Sequence, residues 1–422
     1  MQYRDLAPSR PYVQTHTGIF HFLLSTTALS PQVSPTCSRS YTTIKSFIAA
    51  AALLVVPAFA APAAIPITKL AGPTKADSYI IKLKDGVSKE SHITRLLEAI
   101  GNLDSKVTYT YDNVLHGYAG ILKGPILDYI RRSADVEYVQ ADTIYTIEYF
   151  GGDEKLAARA VDLQEPELRR RIGNGAGTDV YSIDTGILTT HSAFGGRASW
   201  GATFGGYPSK DGNGHGTHTA GTAAGSGYGL ATGANIIAVK VCSDSGSCPS
   251  SAIIGGVNYA VTQAIASGKP SVATMSLGGG ADPAIDSAVS NGIAKGVHFT
   301  IAAGNSNVNA ANTSPARVAA ANTIGAIDSS KRKASFSNYG PILDVWALGV
   351  NVLSAWIGSN TATNTISGTS MATPQVAGIL AVALGSYGQV TPASLSASLK
   401  SHAVADVSGA PSGTTNLRAV AW

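Results

Sequence analysis

Charged side chains are scarce in this sequence: Asp, Glu, Lys and Arg together make up 13% of its 422 residues. With a formal charge of only +4, spread out along the chain, nothing argues for a nucleic-acid partner. The densest basic run, Arg169-Arg170-Arg171, reads as a solvated or processing stretch. Long apolar runs are missing as well. The one run that could concern a membrane, residues 47–56, holds ten residues, too few to span a bilayer. Cysteines number three, and no internal repeat is visible. What is abundant excludes disorder: hydrophobic residues reach 44%, and there are 46 glycines. The length exceeds one typical domain and leaves room for two.

The run at 47–56 follows Lys45 and leads into Pro57-Ala58-Phe59-Ala60. A basic residue, a short apolar stretch and an Ala-x-Ala exit predict a secretory signal cut after Ala60. The protein is therefore expected outside the cell, with no membrane contact once the signal is gone. About forty residues precede the signal, so either translation starts downstream of Met1 or the leading residues are spurious. Cys37 would leave with them. Cys242 and Cys248 remain, an even count in an oxidising compartment, and their six-position spacing on a turn permits a local disulfide. Such a loop is worth roughly 2–2.5 kcal/mol, enough to trim a loop and not to hold up a fold. Two free thiols are the alternative.

Residues 61–76 are rich in Ala and Pro and read as a linker. Residues 77–148 show strand signals at 79–83, 107–111, 118–122 and 136–147, separated by helical patterns at 89–100 and 125–133. The order βαββαβ is that of a small α+β, ferredoxin-like domain. Residues 149–170 lack an apolar period and are expected to be an exposed connection with a processing site. From 171 to 422 short apolar strands alternate with Ala/Gly-rich helices. Strands are expected at 180–183, 236–241, 272–276, 297–302 and 323–326, and helices at 215–224, 251–267, 282–294 and 370–384. Apolar strands without alternation are buried on both faces, which predicts an α/β fold, a doubly wound parallel sheet covered by helices. Its site belongs at the carboxyl ends of the strands.

Three segments place reactive residues there. Val180-Tyr181-Ser182-Ile183-Asp184-Thr185-Gly186 ends a buried strand on a carboxylate. Gly214-His215-Gly216-Thr217-His218 puts an imidazole between glycines at a helix start. Ser367-Gly368-Thr369-Ser370-Met371-Ala372-Thr373-Pro374 sets a serine after a tight turn, opening an Ala-rich helix. Serine needs an adjacent base, and that base an orienting partner, while a helix amino end offers N–H groups to an oxyanion. Singly, each segment has an ordinary reading as a turn carboxylate, a structural histidine or an N-cap serine. Jointly, in this order, they do not.

Together these motifs resemble the subtilisin-like serine proteases, in wording closest to the fungal secreted enzymes of the proteinase K type. The likeness runs from about Thr178 to Trp422 and includes Met275-Ser276-Leu277-Gly278-Gly279-Gly280 and Phe336-Ser337-Asn338-Tyr339-Gly340. The Asp…His…Ser order along the chain is the order found in subtilisin. The resemblance implies a zymogen of a serine endopeptidase with Ser370 as nucleophile, His215 as base, Asp184 as its orienting carboxylate and the Asn305 amide as oxyanion donor. No cofactor is implied for catalysis. It implies pocket walls at Ser276, Leu277, Gly278, Gly279, Gly280, Ala302, Ala303 and Gly304, wide enough for a large apolar or aromatic residue before the cut. Ser245, Gly246 and Ser247 would form the edge that pairs with the substrate backbone; Cys248 stands where relatives carry glycine. A structural Ca2+ is implied at Asp344 with the carbonyls of Ala319 and Ala321. His218 is implied to be structural. Residues 77–148 resemble the family's inhibitor propeptide, so the partners expected are protein and peptide substrates and the chain's own propeptide, for a monomer that processes itself between about Ile147 and Arg159. Asn312-Thr313-Ser314 is a glycosylation sequon.

Two departures from the pattern stand out. Roughly a dozen residues that relatives carry before the aspartate are missing here, and Gln375 replaces a usual histidine one turn past Ser370, for which a packing change is expected. A folded but inactive homologue is the alternative reading. An aspartic protease, for which Asp184-Thr185-Gly186 is also a signature, would need a second such carboxylate, and no second Asp-Thr-Gly or Asp-Ser-Gly occurs.

Overall fold

The computed structural model describes residues 63–100, 104–159 and 172–422. The expected signal at 47–60, Cys37 and Arg169-Arg170-Arg171 lie outside the described residues. The first part is β1 (Thr74–Leu83), α1 (Lys89–Ile100), β2 (Lys106–Tyr111), β3 (Gly117–Ile121), α2 (Gly124–Arg132) and β4 (Val136–Thr146). These four strands lie in the order β4-β1-β3-β2, each antiparallel to its neighbour, and Ile67 and Thr68, in the stretch expected to be a linker, add a short parallel edge beside β4. Because side chains alternate along a strand, Ile80 and Ile81 serve different faces. Ile81 joins Leu83, Leu96, Ile126 and Ile130 beneath the two helices, while Ile80 joins Tyr111, Val257 and Val261 against the rest of the molecule.

The larger part is built on seven parallel strands: β5 (Asp179–Asp184), β6 (Ala198–Thr203), β7 (Asn235–Lys240), β9 (Ser271–Met275), β10 (His298–Ala302), β11 (Asn322–Ile327) and β12 (Val345–Leu348). They lie in the order β12-β11-β10-β9-β5-β7-β6. Every residue of β5, β9, β10 and β11 is buried, as the unbroken apolar runs predict. The helices are α3 (His215–Ala224), α4 (Ser250–Ser267), α5 (Pro283–Ala294), α6 (Thr369–Tyr387) and α7 (Pro392–His402), and a short strand β8 (Ser247–Pro249) precedes α4. Gly378 lets α6 approach α3: a Cβ there would lie 2.5 Å from the Ala223 carbonyl. Strands β6 and β12 and helix α7 have no counterpart among the elements expected from sequence. β6 is half-exposed and interrupted by Gly201, and α7 carries only Leu395 and Leu399 as buried apolar anchors.

The two parts meet on the free face of the first sheet. Helix α4 starts after Pro249, which gives no side-chain cap, and Asp142 from β4 takes that place. Its Oδ1 accepts the Ser251 N–H at 2.8 Å, and its Oδ2 accepts the hydroxyls of Ser251 at 2.6 Å and Ser78 at 2.7 Å. Burial pushes the Asp142 carboxyl above its ordinary value. Asp282 caps α5 itself and also accepts from Gln140 Nε2 at 3.0 Å and the Tyr145 hydroxyl at 3.2 Å.

The described stretch from 149 to 159 is mostly exposed, as expected, but it is not a free connection. Phe150 and Gly151 pair antiparallel with Ile366 and Ser367, the Gly152 N–H donates to the Thr365 carbonyl at 3.0 Å, and Ala158 bridges to Val352. Backbone pairing to a hairpin edge needs no apolar period, so composition did not reveal it.

Candidate active site

Asp184 is the last residue of β5, where the sheet hands the chain to a loop. Its carboxylate accepts the Thr185 N–H at 2.7 Å and the Thr219 hydroxyl at 3.1 Å. His215 opens α3 beside it, with Nδ1 at 2.8 and 3.0 Å from the two carboxylate oxygens. Glycines make that approach possible. Gly214 adopts φ 100°, and a Cβ on Gly216 would come within 2.1 Å of the Gly186 carbonyl. Asp211, which nothing in the sequence singles out, ties the two segments together. It accepts from the Thr185 hydroxyl at 2.9 Å, from the Gly214 and Thr217 N–H groups at 2.9 Å, and from the Thr217 hydroxyl at 2.6 Å.

With Nδ1–H donated to Asp184, the Nε2 lone pair of His215 is left to face the cleft. Nε2 is buried and has no hydrogen-bond partner among the described residues. Ser370, one residue into α6, donates its hydroxyl at 3.2 Å to the Ser276 carbonyl and not to His215. The serine–histidine link is thus open. The backbone around Ser370 explains its neighbour. Pro374 has no N–H for the Ser370 carbonyl four residues back, and the Ser276 hydroxyl donates there instead, at 2.9 Å.

Asn305 is oriented by Thr369, whose N–H and hydroxyl donate to its Oδ1 at 2.8 and 2.9 Å. That turns the amide nitrogen into the cleft, where it donates at 2.8 Å to the carbonyl of Glu148. The chain before Glu148 is laid along the cleft edge: Ile144, Tyr145 and Thr146 pair antiparallel with β8, and the Ile147 N–H donates to the Gly246 carbonyl at 3.0 Å. Beyond Glu148, the Tyr149 ring lies 5.5 Å from the His215 ring and 6.3 Å from Trp356. The Glu148 carbonyl therefore sits on the Asn305 amide, with Glu148 and Ser370 lining one cavity and the next residue, Tyr149, against His215.

A cavity of about 230 Å³ opens beside it, lined by Ser276 to Gly280, Ala302 to Asn305, Thr313, Ser314, Asn338 and Glu148 itself. All the expected wall residues are brought together there. Of the expected edge, Gly246 and Ser247 meet the tail, whereas the Ser245 hydroxyl turns to Ser243. Pairing extends instead to Cys248 and Pro249, beyond the stretch expected from sequence. Cys242 and Cys248 are joined by a disulfide that closes this edge loop. Glu148, Thr313, Ser314 and Asn338 were missed as lining residues. Asn338 lies in the noted Phe336-Ser337-Asn338-Tyr339-Gly340 phrase, and its amide donates to the Ala303 carbonyl at 2.7 Å.

The remaining expectations fall outside the cleft chemistry. His218 is wholly buried, contacts the Val352 carbonyl at 3.0 Å through Nε2, and burial pulls its pKa down to about 3, so it stays neutral. Gln375 accepts the Leu348 N–H at 2.9 Å. Asn312 is exposed at the end of a short 3-10 turn. Asp344 is oxygen chemistry suited to calcium, but its Oδ1 is taken by the Lys400 ammonium at 3.0 Å and its Oδ2 by the Thr323 N–H at 2.9 Å. Both Asp344 oxygens are thus engaged, and no group of three or more His, Cys, Asp or Glu side chains suited to a metal ion occurs among the described residues.

Comparison with known proteins gives this geometry a family. Residues 175–419 match the model of the subtilase family, and residues 78–148 match that of the peptidase inhibitor I9 family. Subtilisin-like protease 2 of Pseudogymnoascus destructans is 39% identical over 395 residues, covering 88% of this chain and 97% of that one. Subtilisin-like serine protease pepC of Aspergillus niger is 41% identical over 334 residues, 72% of this chain, and the chain spans 62% of that relative's length. Among solved structures, a cold adapted subtilisin-like serine proteinase superposes with a TM-score of 0.56 at 46% identity, covering 59% of this chain and 90% of that one. An aspartate–histidine pair at a parallel-sheet switch point, a serine opening the central helix, and an inhibitor subdomain whose tail enters the same cleft all agree with these matches: the chain belongs to the subtilase family.

Proposed function

We propose that this chain is the zymogen of a secreted serine endopeptidase that releases itself by cutting the bond between Glu148 and Tyr149. The observation that carries the reading is the Glu148 carbonyl held at 2.8 Å by the Asn305 amide, the geometry of an oxyanion about to form. Ser370 Oγ attacks that carbonyl carbon while its proton passes to His215 Nε2. The negative charge that gathers on the oxygen is met by the Asn305 amide and the Ser370 N–H. His215, kept in the correct tautomer by Asp184, returns the proton to the Tyr149 nitrogen as the peptide bond breaks. Water then hydrolyses the acyl-enzyme by the same route. Other proteins would be cut in the same way, with broad tolerance because the edge strand reads backbone, and with preference for large apolar or aromatic residues in the neutral pocket. Secretion follows from the signal at 47–60.

The test is expression of the wild-type precursor beside Ser370→Ala, with secreted material analysed by intact mass, amino-terminal sequencing and a fluorophosphonate probe. A new terminus at Tyr149 and probe labelling in the wild type, with neither in Ser370→Ala, are expected. An uncut, unlabelled wild type overturns the reading and leaves an inactive homologue. A structural Ca2+ at Asp344, with the carbonyls of Ala319 and Ala321, requires the Lys400 ammonium to leave Oδ1. A melting temperature unchanged between calcium and EDTA removes it.

A further inference from the structure

The residue that precedes the proposed cut is an acid, and the pocket beside it has nothing to receive one. Of the residues lining the cavity, Glu148 is the only charged one; the walls are glycine, alanine, serine, threonine, leucine and asparagine. Behind the wall the nearest charges are unfavourable or committed. Ser314 accepts the Asp282 N–H at 2.8 Å, the Asp282 carboxylate already serves α5, Gln140, Tyr145 and Ser250, and Asp286 holds Arg317 at 2.5 Å. The Glu148 side chain accordingly stays exposed, while its carbonyl is in place. Backbone pairing on both sides, to Gly246 and β8 before it and to Ile366 and Ser367 after it, fixes the tail without help from that side chain.

We infer that Glu148 is a mismatched specificity residue that limits the rate of the precursor's first cut. A side chain that filled the pocket would add contacts in the transition state as the carbonyl moves against Asn305. An ionised one must either lose its water with no counter-charge or leave the pocket empty, and both forfeit that contribution. The tail is thus well seated and slowly cut, and the slowness is written in one residue of the junction. This rests on the reading that the bond between Glu148 and Tyr149 is the one cleaved.

The experiment compares first-order disappearance of the full precursor in wild type, Glu148→Gln, Glu148→Leu and Glu148→Phe at dilutions where the rate is independent of concentration. Glu148→Gln, nearly isosteric and on an exposed side chain, should process about ten-fold faster, and the Leu and Phe variants about a hundred-fold faster. Rates equal to or below wild type in all three overturn the inference. A second measurement on mature wild-type enzyme guards against folding effects, using peptides that differ only in Glu, Gln or Leu before the cut. A kcat/KM for Leu about a hundred times that for Glu supports the inference, and equal values overturn it. If amino-terminal sequencing finds a terminus other than Tyr149, the inference falls with the junction reading, and the peptide series tells whether the pocket rejects glutamate all the same.

Discussion

The inhibitor subdomain touches the protease unit through two surfaces of different kind. One is broad and made by side chains: Asp142 caps α4, Gln140 and Tyr145 reach Asp282, and Ile80 and Tyr111 bury against Val257 and Val261. The other is one extended segment, residues 144–151, held through its backbone at both ends. The first surface can recognise only this partner. The second is how any extended peptide would be held, so under the proposed function it presents the chain's own bond as a substrate. A cut there, as proposed, would leave the broad surface intact and the released subdomain bound as an inhibitor.

The largest effect that can separate the two surfaces is expected at Asn305. Asn305→Ala removes the donor on the Glu148 carbonyl and should lower processing and turnover about 10²–10³-fold, the loss known for the equivalent amide in subtilisin. Single-turnover rates and inhibitor-subdomain affinity, measured side by side, should show the first falling and the second nearly unchanged. An intermediate effect belongs to the broad surface. Asp142→Ala strips α4 of its external cap, at a cost of about 1–2 kcal/mol, so the cut subdomain should leave about ten-fold faster while the mature enzyme is unaltered. That carboxyl also gives the surface a pH dependence of definite sign. Burial raises its pKa in the complex, so its contribution to docking is full below its free value and is lost as pH rises through the raised one. Dissociation should therefore quicken with rising pH, by at most about ten-fold per unit, then level off, and the Asp142→Ala complex should lack this step. The smallest effect is expected at the strand's edge. Replacing both Cys242 and Cys248 by serine loosens the loop that presents Gly246 and β8. It should raise KM a few-fold, by about the weight of one or two strand hydrogen bonds, for long peptides and not for short ones.

Much of this was legible in the residues. Helices α1 and α3 begin and end where the pattern put them, because apolar spacing and the glycines around His215 are local signals. Asp184, His215 and Ser370 could be named because each lies in a short phrase whose chemistry demands its neighbours. Strand β6 and the pairing of Phe150 with Ser367 were not legible, because each depends on a partner far along the chain; helix α7 was missed although Thr391 caps it ahead of Pro392 and Leu395 and Leu399 share one face. The same holds for Asp211, whose many bonds mark it only once β5 and α3 are side by side.

By itself, then, the sequence determined the alternation of buried strands and helices, the βαββαβ order of the inhibitor subdomain, and which residues are the candidate nucleophile, base and carboxylate. These rest on local composition and spacing. Only the tertiary structure decided which peptide carbonyl meets Asn305, that the Ser370 hydroxyl faces Ser276 while His215 Nε2 stands open, and that Asp142 caps a helix in another part of the chain. The physical reason is the same in each case. Hydrogen bonds between residues more than ninety positions apart are satisfied by packing, and nothing in the neighbourhood of either partner announces the other.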